Sequence, residues 1–253
     1  MRKIGAVVIT VLAAVFILPS AATAALSFTA NGGFSLQGYA DLLFDCFVFY
    51  PMFWNSVLYA AAITAAQLVI SIPCAFGFHK AQFRGKSALF VFYIVLMMMP
   101  LQVTILPNYI GLRDMGLLDK RLGIILPMMF SPFGVVVMHQ YMKNTDGAVI
   151  DAARLETGSI IRVMFTAVIP QLRVCIFAVV LFVFADCWNM VEQPMLFLKS
   201  DGLKPLSVFI ANADGFDGAV LFPAAVIFMI PVLILYLFFN EDLEKGLTLG
   251  GLS

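Results

Sequence analysis

Residues 151–170 read DAARLETGSIIRVMFTAVIP, and the way this stretch is read decides the rest of the chain. Apolar runs flank it on both sides, yet it carries Asp151, Arg154, Glu156 and Arg162, charges that a bilayer core accepts only at high cost. Read as a helix, it places Ala152, Leu155 and Ser159 on one side, with Ala153 beside them. A short helix with one small, mostly apolar face and one charged face, set between two membrane spans, is shaped to dock against something else.

Composition sets the class around it. The 253 residues are 62% hydrophobic and 12% charged, against about half apolar and about a quarter charged in a soluble domain. Such a shift points to an all-α membrane protein that crosses the bilayer several times. The net charge is zero, so no basic field marks a nucleic-acid partner. Cys46, Cys74, Cys175 and Cys187 show no CxxC spacing and read as small hydrophobes rather than as metal or redox ligands.

Working outward, six apolar runs emerge. Residues 4–26 follow Arg2 and Lys3 and read two ways. They resemble a cleavable signal peptide ending near Ala22-Thr23-Ala24, and they are also long enough to span. The membrane character of the remaining chain favours a retained first transmembrane helix over residues 1–26. Residues 27–50 read as an external loop with a short helix, and residues 51–253 as a core of five further spans. The second span covers 52–78, where Thr64, Gln67 and Ser71 share one face that should look into the bundle. This face serves either interhelical hydrogen bonding or a wall of a translocation path. The basic turn His79–Lys86 comes next, and short basic loops stay in the cytoplasm.

The third span, 87–106, is bent at Pro100, and its methionines, Met97 to Met99, read as packing. Residues 107–121 form a second external segment. The fourth span, 122–141, is interrupted by Pro127 and by Ser131-Pro132-Phe133-Gly134, with His139 at its inner end. The fifth, 172–191, holds Asp186 and the interface marker Trp188, with Asn189 and Glu192 at its outer end. Asp186 is either a functional acid or a solvated one near the interface. Residues 193–220, with Asp201, Lys204, Asp214 and Asp217, form a third external loop. The sixth span is 221–239, and a polar, glycine-rich tail ends the chain. Both termini then fall in the cytoplasm. Of the fifteen Lys and Arg, ten lie on inner segments and five on outer ones, in line with positive-inside.

The sequence contains no GxxxxGK[ST] phosphate loop, no GxGxxG after a strand and no HExxH. The chain is therefore expected to be no enzyme and to bind no cofactor itself; energy for uphill transport would come from another subunit.

Residues 151–170 resemble the cytoplasmic EAA loop of ABC importer permeases. That pattern opens Glu-Ala-Ala, has Gly at its seventh place and ends Leu-Pro at its nineteenth and twentieth. Here Asp151-Ala152-Ala153 open the stretch and Ile169-Pro170 close it at the same spacing. Asp replaces Glu, Ile replaces Leu, and Thr157 stands where Gly is usual, with Gly158 one place later. The likeness extends over roughly residues 50–253: Asn55-Ser56, Phe83-Arg84-Gly85-Lys86, Pro100-Leu101-Gln102-Val103, Pro107-Asn108-Tyr109, Gly116-Leu117-Leu118, Pro132-Phe133-Gly134, Trp188-Asn189 and Gly246-Leu247-Thr248 follow in the family's order. Together they are similar to the carbohydrate importers, and to the second permease of the maltose and multiple-sugar type.

The resemblance implies a six-helix permease of the bacterial inner membrane, pairing with a second, different permease. A cytoplasmic ATPase dimer would bind ATP, and an extracytoplasmic solute-binding protein would deliver the sugar. It further implies that the loop 142–171 couples the bundle to the ATPase through Asp151, Ala152, Ala153, Glu156, Thr157 and Gly158, with Asp151 and Glu156 facing basic groups of the partner. Candidate path liners are Asn55, Thr64, Gln67, Gln102, Asn189 and Glu192. The spans hold no cluster of Arg or Lys, which leans the substrate away from sugar phosphates. The competing readings are an ion-gradient transporter, which needs acids mid-membrane and often inverted repeats, and a membrane enzyme, which needs a catalytic cluster at one depth.

Overall fold

In a computed structural model the protein is described over residues 2–30, 33–145, 147–212 and 218–250. The first helix, α1 (Arg2–Ser27), runs straight into a two-stranded antiparallel hairpin in which Thr29 pairs with Phe34. A helical turn, α2 (Gln37–Ala40), and a π turn over Asp41–Asp45 lead into α3 (Phe49–Lys80), the long axis of the molecule. At about 1.5 Å per residue, the 32 residues of α3 span about 48 Å. Gly85 caps the next helix with φ +85°, a left-handed conformation that a Cβ would strain.

Beyond it lie α4 (Lys86–Met98), α5 (Leu101–Asp114), α6 (Arg121–Met129) and α7 (Phe133–Met142). Next are α8 (Gly147–Glu156), α9 (Ile160–Val163), a π turn over Met164–Val168, and α10 (Ile169–Gln171). The chain finishes with α11 (Arg173–Trp188), α12 (Glu192–Phe197), α13 (Leu206–Ala211) and α14 (Gly218–Gly250). Among the described residues four helical stretches, with α6 and α7 taken together as Arg121–Met142, are long and apolar enough to cross a membrane, and up to six spans result when each bent helix pair counts as one. The all-α membrane fold expected from composition is borne out.

Several boundaries differ from the sequence reading, each for a local reason. The third span is not one straight helix to residue 106: α4 stops at Met98, and α5 leaves at 97° to it. Pro100 forces Met99 into extended backbone (ψ 124°) and has no N–H to continue the ladder. Residues 107–114, expected as loop, therefore belong to a helix. The docking helix does not reach Ser159. It ends at Glu156, and Ser159 caps the next helix by accepting a bond from the Arg162 N–H. Ser159 thus leaves the face it was expected to share with Ala152. The fifth span starts at Arg173, and the segment before it turns away by 80°. The sixth span runs on into the polar, glycine-rich tail, which α14 carries as helix to Gly250. Asp214 and Asp217 lie outside the described residues.

The core forms where α3 packs on α7 and α11, and α11 in turn packs on α14. Gly134 lets α7 lie close against α3: a Cβ there would stand 2.6 Å from Ser71 Oγ. Trp188 is fully buried, stacked between Phe184 and Phe228, and its indole N–H donates to the Phe228 carbonyl at 2.9 Å.

Candidate functional site

Two features stand out, at different levels of the bundle. The first is α8, lying under the Lys80 end of α3. Its amphipathic pattern divides it cleanly. Ile150 is 1% exposed and anchors it to the core, and Ala153 packs there too. The Arg154 guanidinium lies 5.5 Å from the Phe76 ring centroid. The Asp151 carboxylate accepts a 2.6 Å bond from Lys80 Nζ, and this bond holds its carboxyl below the ordinary aspartate value. Val149, Ala152, Leu155 and Glu156 point the other way, into the open. Leu155 is 90% exposed, the highest value among the large apolar side chains described. It lies outside every candidate span among the described residues.

Of the six residues expected to couple, Ala152 and Glu156 lie on the outward face, and Gly158 is exposed beyond the helix end. A Cβ at Gly158 would meet nothing within 4 Å. Thr157 is half-buried, and its Oγ1 accepts from the Ser159 N–H. Asp151 and Ala153 turn toward the bundle instead. Val149 completes the outward stripe, and the i, i+3 step back from Ala152 was the signal for it. Lys80, the partner of Asp151, carries no local signal, being 71 positions away in the chain.

The second feature is a cleft of about 560 Å³ where the two broken helices meet. The α4–α5 elbow forms one wall, the α6–α7 break another, and α11 a third. Irregular backbone at membrane depth is tolerated where it borders such a cavity. Its polar lining comes from Gln67, Thr104, Asn108, Ser131, Asp186 and Gln193. Gln67 donates to the Met128 carbonyl at 2.7 Å, at the frayed end of α6, while its Oε1 is buried without a partner. Thr64, Gln67 and Ser71 are all buried, so the polar face of α3 does look into the bundle. Thr64 Oγ1 is also unpartnered.

Among the expected path residues, only Gln67 borders this cleft. Gln102 is exposed on α5, while its neighbours Leu101 and Thr104 line the wall. Asn189 donates back to the Ala185 carbonyl and ends α11. Glu192 opens α12, exposed, one place before the lining Gln193.

Asn55 serves a different end of α3. Its amide donates to the carbonyls of Gly202 and Lys204, and its oxygen accepts from Arg121. Ser56 Oγ accepts from the Leu206 N–H, and the Tyr59 hydroxyl donates to the Leu203 carbonyl. Beside them Asp119, at φ 57°, accepts bonds from both the hydroxyl and the N–H of Ser200 and from the Lys199 N–H. These bonds lower its carboxyl below the ordinary value. The two loops that meet at the Asn55 end are thus stitched to each other and to α3.

No protein-family model matches the chain. It is 26% identical over 224 residues to the arabinooligosaccharides transport system permease protein AraQ of Bacillus subtilis (strain 168), covering 87% of this chain and 79% of that protein. It is 24% identical over 202 residues to the sn-glycerol-3-phosphate transport system permease protein UgpE of Brucella abortus (strain 2308), covering 78% and 72%. Its fold matches a chain in the crystal structure of a bacterial ABC transporter involved in the import of the acidic polysaccharide alginate. The TM-score is 0.85 at 20% identity, with 95% of each chain covered. The expected resemblance to carbohydrate-type ABC importer permeases is borne out. With it stands the architecture of a multi-pass membrane transport subunit rather than an enzyme.

Proposed function

We propose that this chain is one of two unlike permeases in an ATP-driven sugar importer, and that α8 is its handle for a cytoplasmic ATPase. The single observation that carries the reading is the outward stripe Val149, Ala152 and Leu155, which leaves an apolar knob uncovered outside every candidate span among the described residues. Burying Leu155 against a partner would contribute roughly 1.5–3 kcal/mol. Ala152 beside it is small enough to let the helix lie close to that partner. Gly158 meets nothing in its own chain, so the partner is what would sense a side chain there.

The route from handle to cargo runs through α3. Movement of α8 passes to it through Ile150, the Arg154–Phe76 contact and the Lys80–Asp151 pair. The same helix carries Gln67 at the cleft and Asn55 under the outer loops. One rigid element therefore joins nucleotide state, path and outer gate. ATP would drive the change only by binding one arrangement of the ATPase pair better than the other. With α8 in the cytoplasm, positive-inside sidedness puts both termini there and the Asn55 end outside, facing a solute-binding protein. The cargo named for one relative, arabinooligosaccharides, is polyhydroxylated, and that class is the one we assign to this chain.

Purification from membranes through a tag on this chain should bring down an ATPase, a second permease and a binding protein. Leu155→Asp should lose the ATPase and keep the second permease. If the unaltered chain instead emerges alone and moves solute without ATP, the gradient-driven reading replaces this one.

A further inference from the structure

We propose that Asp186 sets the charge selectivity of the cleft, which admits neutral or amino-bearing polyols and turns away sugar phosphates and uronates. The inference rests on the permease reading above and deepens it. Asp186 lines the cleft from α11 and is exposed to it. No hydrogen bond or ion pair to Asp186 is found among the described residues. The lining includes no Lys, Arg or His among those residues. A carboxylate without a cation beside it leaves a negative field in the cavity, and low-dielectric walls strengthen such a field.

The hydrogen-bonding inventory points the same way. An ionised carboxylate only accepts. Gln67 donates to the Met128 carbonyl, and its Oε1 is buried out of reach of a cargo, so it offers the cleft no competing charge. Thr104, Ser131, Asn108 and Gln193 can adapt to either role. The one fixed acceptor open to the cleft, Asp186, therefore asks the cargo for donors. Hydroxyls and an ammonium supply them, whereas a phosphate or a uronate carboxylate brings only more acceptors and a repelling charge.

The test reads the field directly, on the full chain in its membranes with Cys46, Cys74, Cys175 and Cys187 replaced. A single Thr104→Cys substitution reports from the cleft wall. Its rates of modification by methanethiosulfonate-ethylammonium and by methanethiosulfonate-ethylsulfonate are compared with those of a free thiol in solution. The cleft should favour the cationic reagent by roughly threefold to tenfold, the bias that one charge a few ångströms away imposes in a partly aqueous site. Asp186→Asn should abolish most of the bias, and Asp186→Glu should keep it. If Asp186→Asn does not fold, Asp186→Ser reads the same quantity. A bias unchanged by neutralisation, or a thiol at position 104 that neither reagent reaches, overturns the proposal. Failure of the ATPase to co-purify would break the permease reading while leaving this ratio intact, so the two failures are distinct.

Discussion

The two ends of α3 are built differently. At the Asn55 end, buried side chains hold backbone: Asn55 reaches two carbonyls, Ser56 an N–H and Tyr59 a third carbonyl, with the fully buried Trp188 among the aromatics below. At the Lys80 end, an ion pair between Lys80, 18% exposed, and Asp151, 62% exposed, and a cation–π contact tie α8 to α3, with Ile150 and Ala153 packed in the core and the Met164–Val168 turn against α8. Buried bonds to backbone are expensive to break, because each lost partner leaves a desolvated group behind. An exposed pair is worth little and can be remade in another geometry. The difference teaches where the molecule is rigid and where it can be driven: a fixed outer frame and an inner joint that a partner can load.

The largest effect should come from breaking the frame at its aromatic centre. Trp188→Ala removes a fully buried ring that stacks on Phe184 and Phe228, and it orphans the Phe228 carbonyl. We expect a loss of about 3–5 kcal/mol and a fall in melting temperature of about 10 °C, measured on the purified assembly. Next is Asn55→Leu, which keeps the volume but strips Gly202, Lys204 and Arg121 of their partner. A cost of about 2–3 kcal/mol is expected, together with weaker stimulation of the ATPase by the binding protein as the outer loops loosen. An Asn55→Leu protein of unchanged stability would erase the contrast between the two ends.

Much of this frame was legible in the sequence, and some was not, for physical reasons. Helical runs and breaks were readable because hydrophobic length and proline act locally, so Pro100 and Pro132 announced the breaks that line the cleft. The 97° turn at Pro100 was not readable, since proline states that a helix is interrupted and leaves its new direction to packing. Asn55, noted for its Asn55-Ser56 resemblance to the family's pair, was expected as a path liner. Its real partners lie about 150 positions away in a loop, and no periodicity reports them. The same holds for Lys80 and Asp151. Ala152 and Leu155 could be placed on an outward face because i, i+3 spacing survives any tertiary context. Gln67 reached the cleft by that same logic, whereas Gln102 and Glu192 each missed the lining by a position or two, within the error of placing residues by depth alone.

The smallest effect on stability, and the most informative one for mechanism, should come from the inner joint. Lys80→Met or Asp151→Asn removes an exposed pair, so the melting temperature should stay within about 2 °C of the parent. Sugar moved per ATP hydrolysed should nevertheless fall severalfold, because α8 can then shift without carrying α3. Exchanging the two charges, with Lys80→Asp and Asp151→Lys together, should recover part of the loss. The pH dependence has a definite sign. Lys80 holds the Asp151 carboxyl below its ordinary 3.8. The stabilisation from the pair is therefore complete above that value and disappears only as pH falls through the lowered one. Coupling efficiency should be insensitive to this pair from neutrality down to about pH 5. If Asp151→Asn instead releases the ATPase from the complex, the carboxylate serves the partner's surface rather than Lys80. The inner joint would then be a docking contact, and α3 would be driven through Ile150 and Arg154 alone.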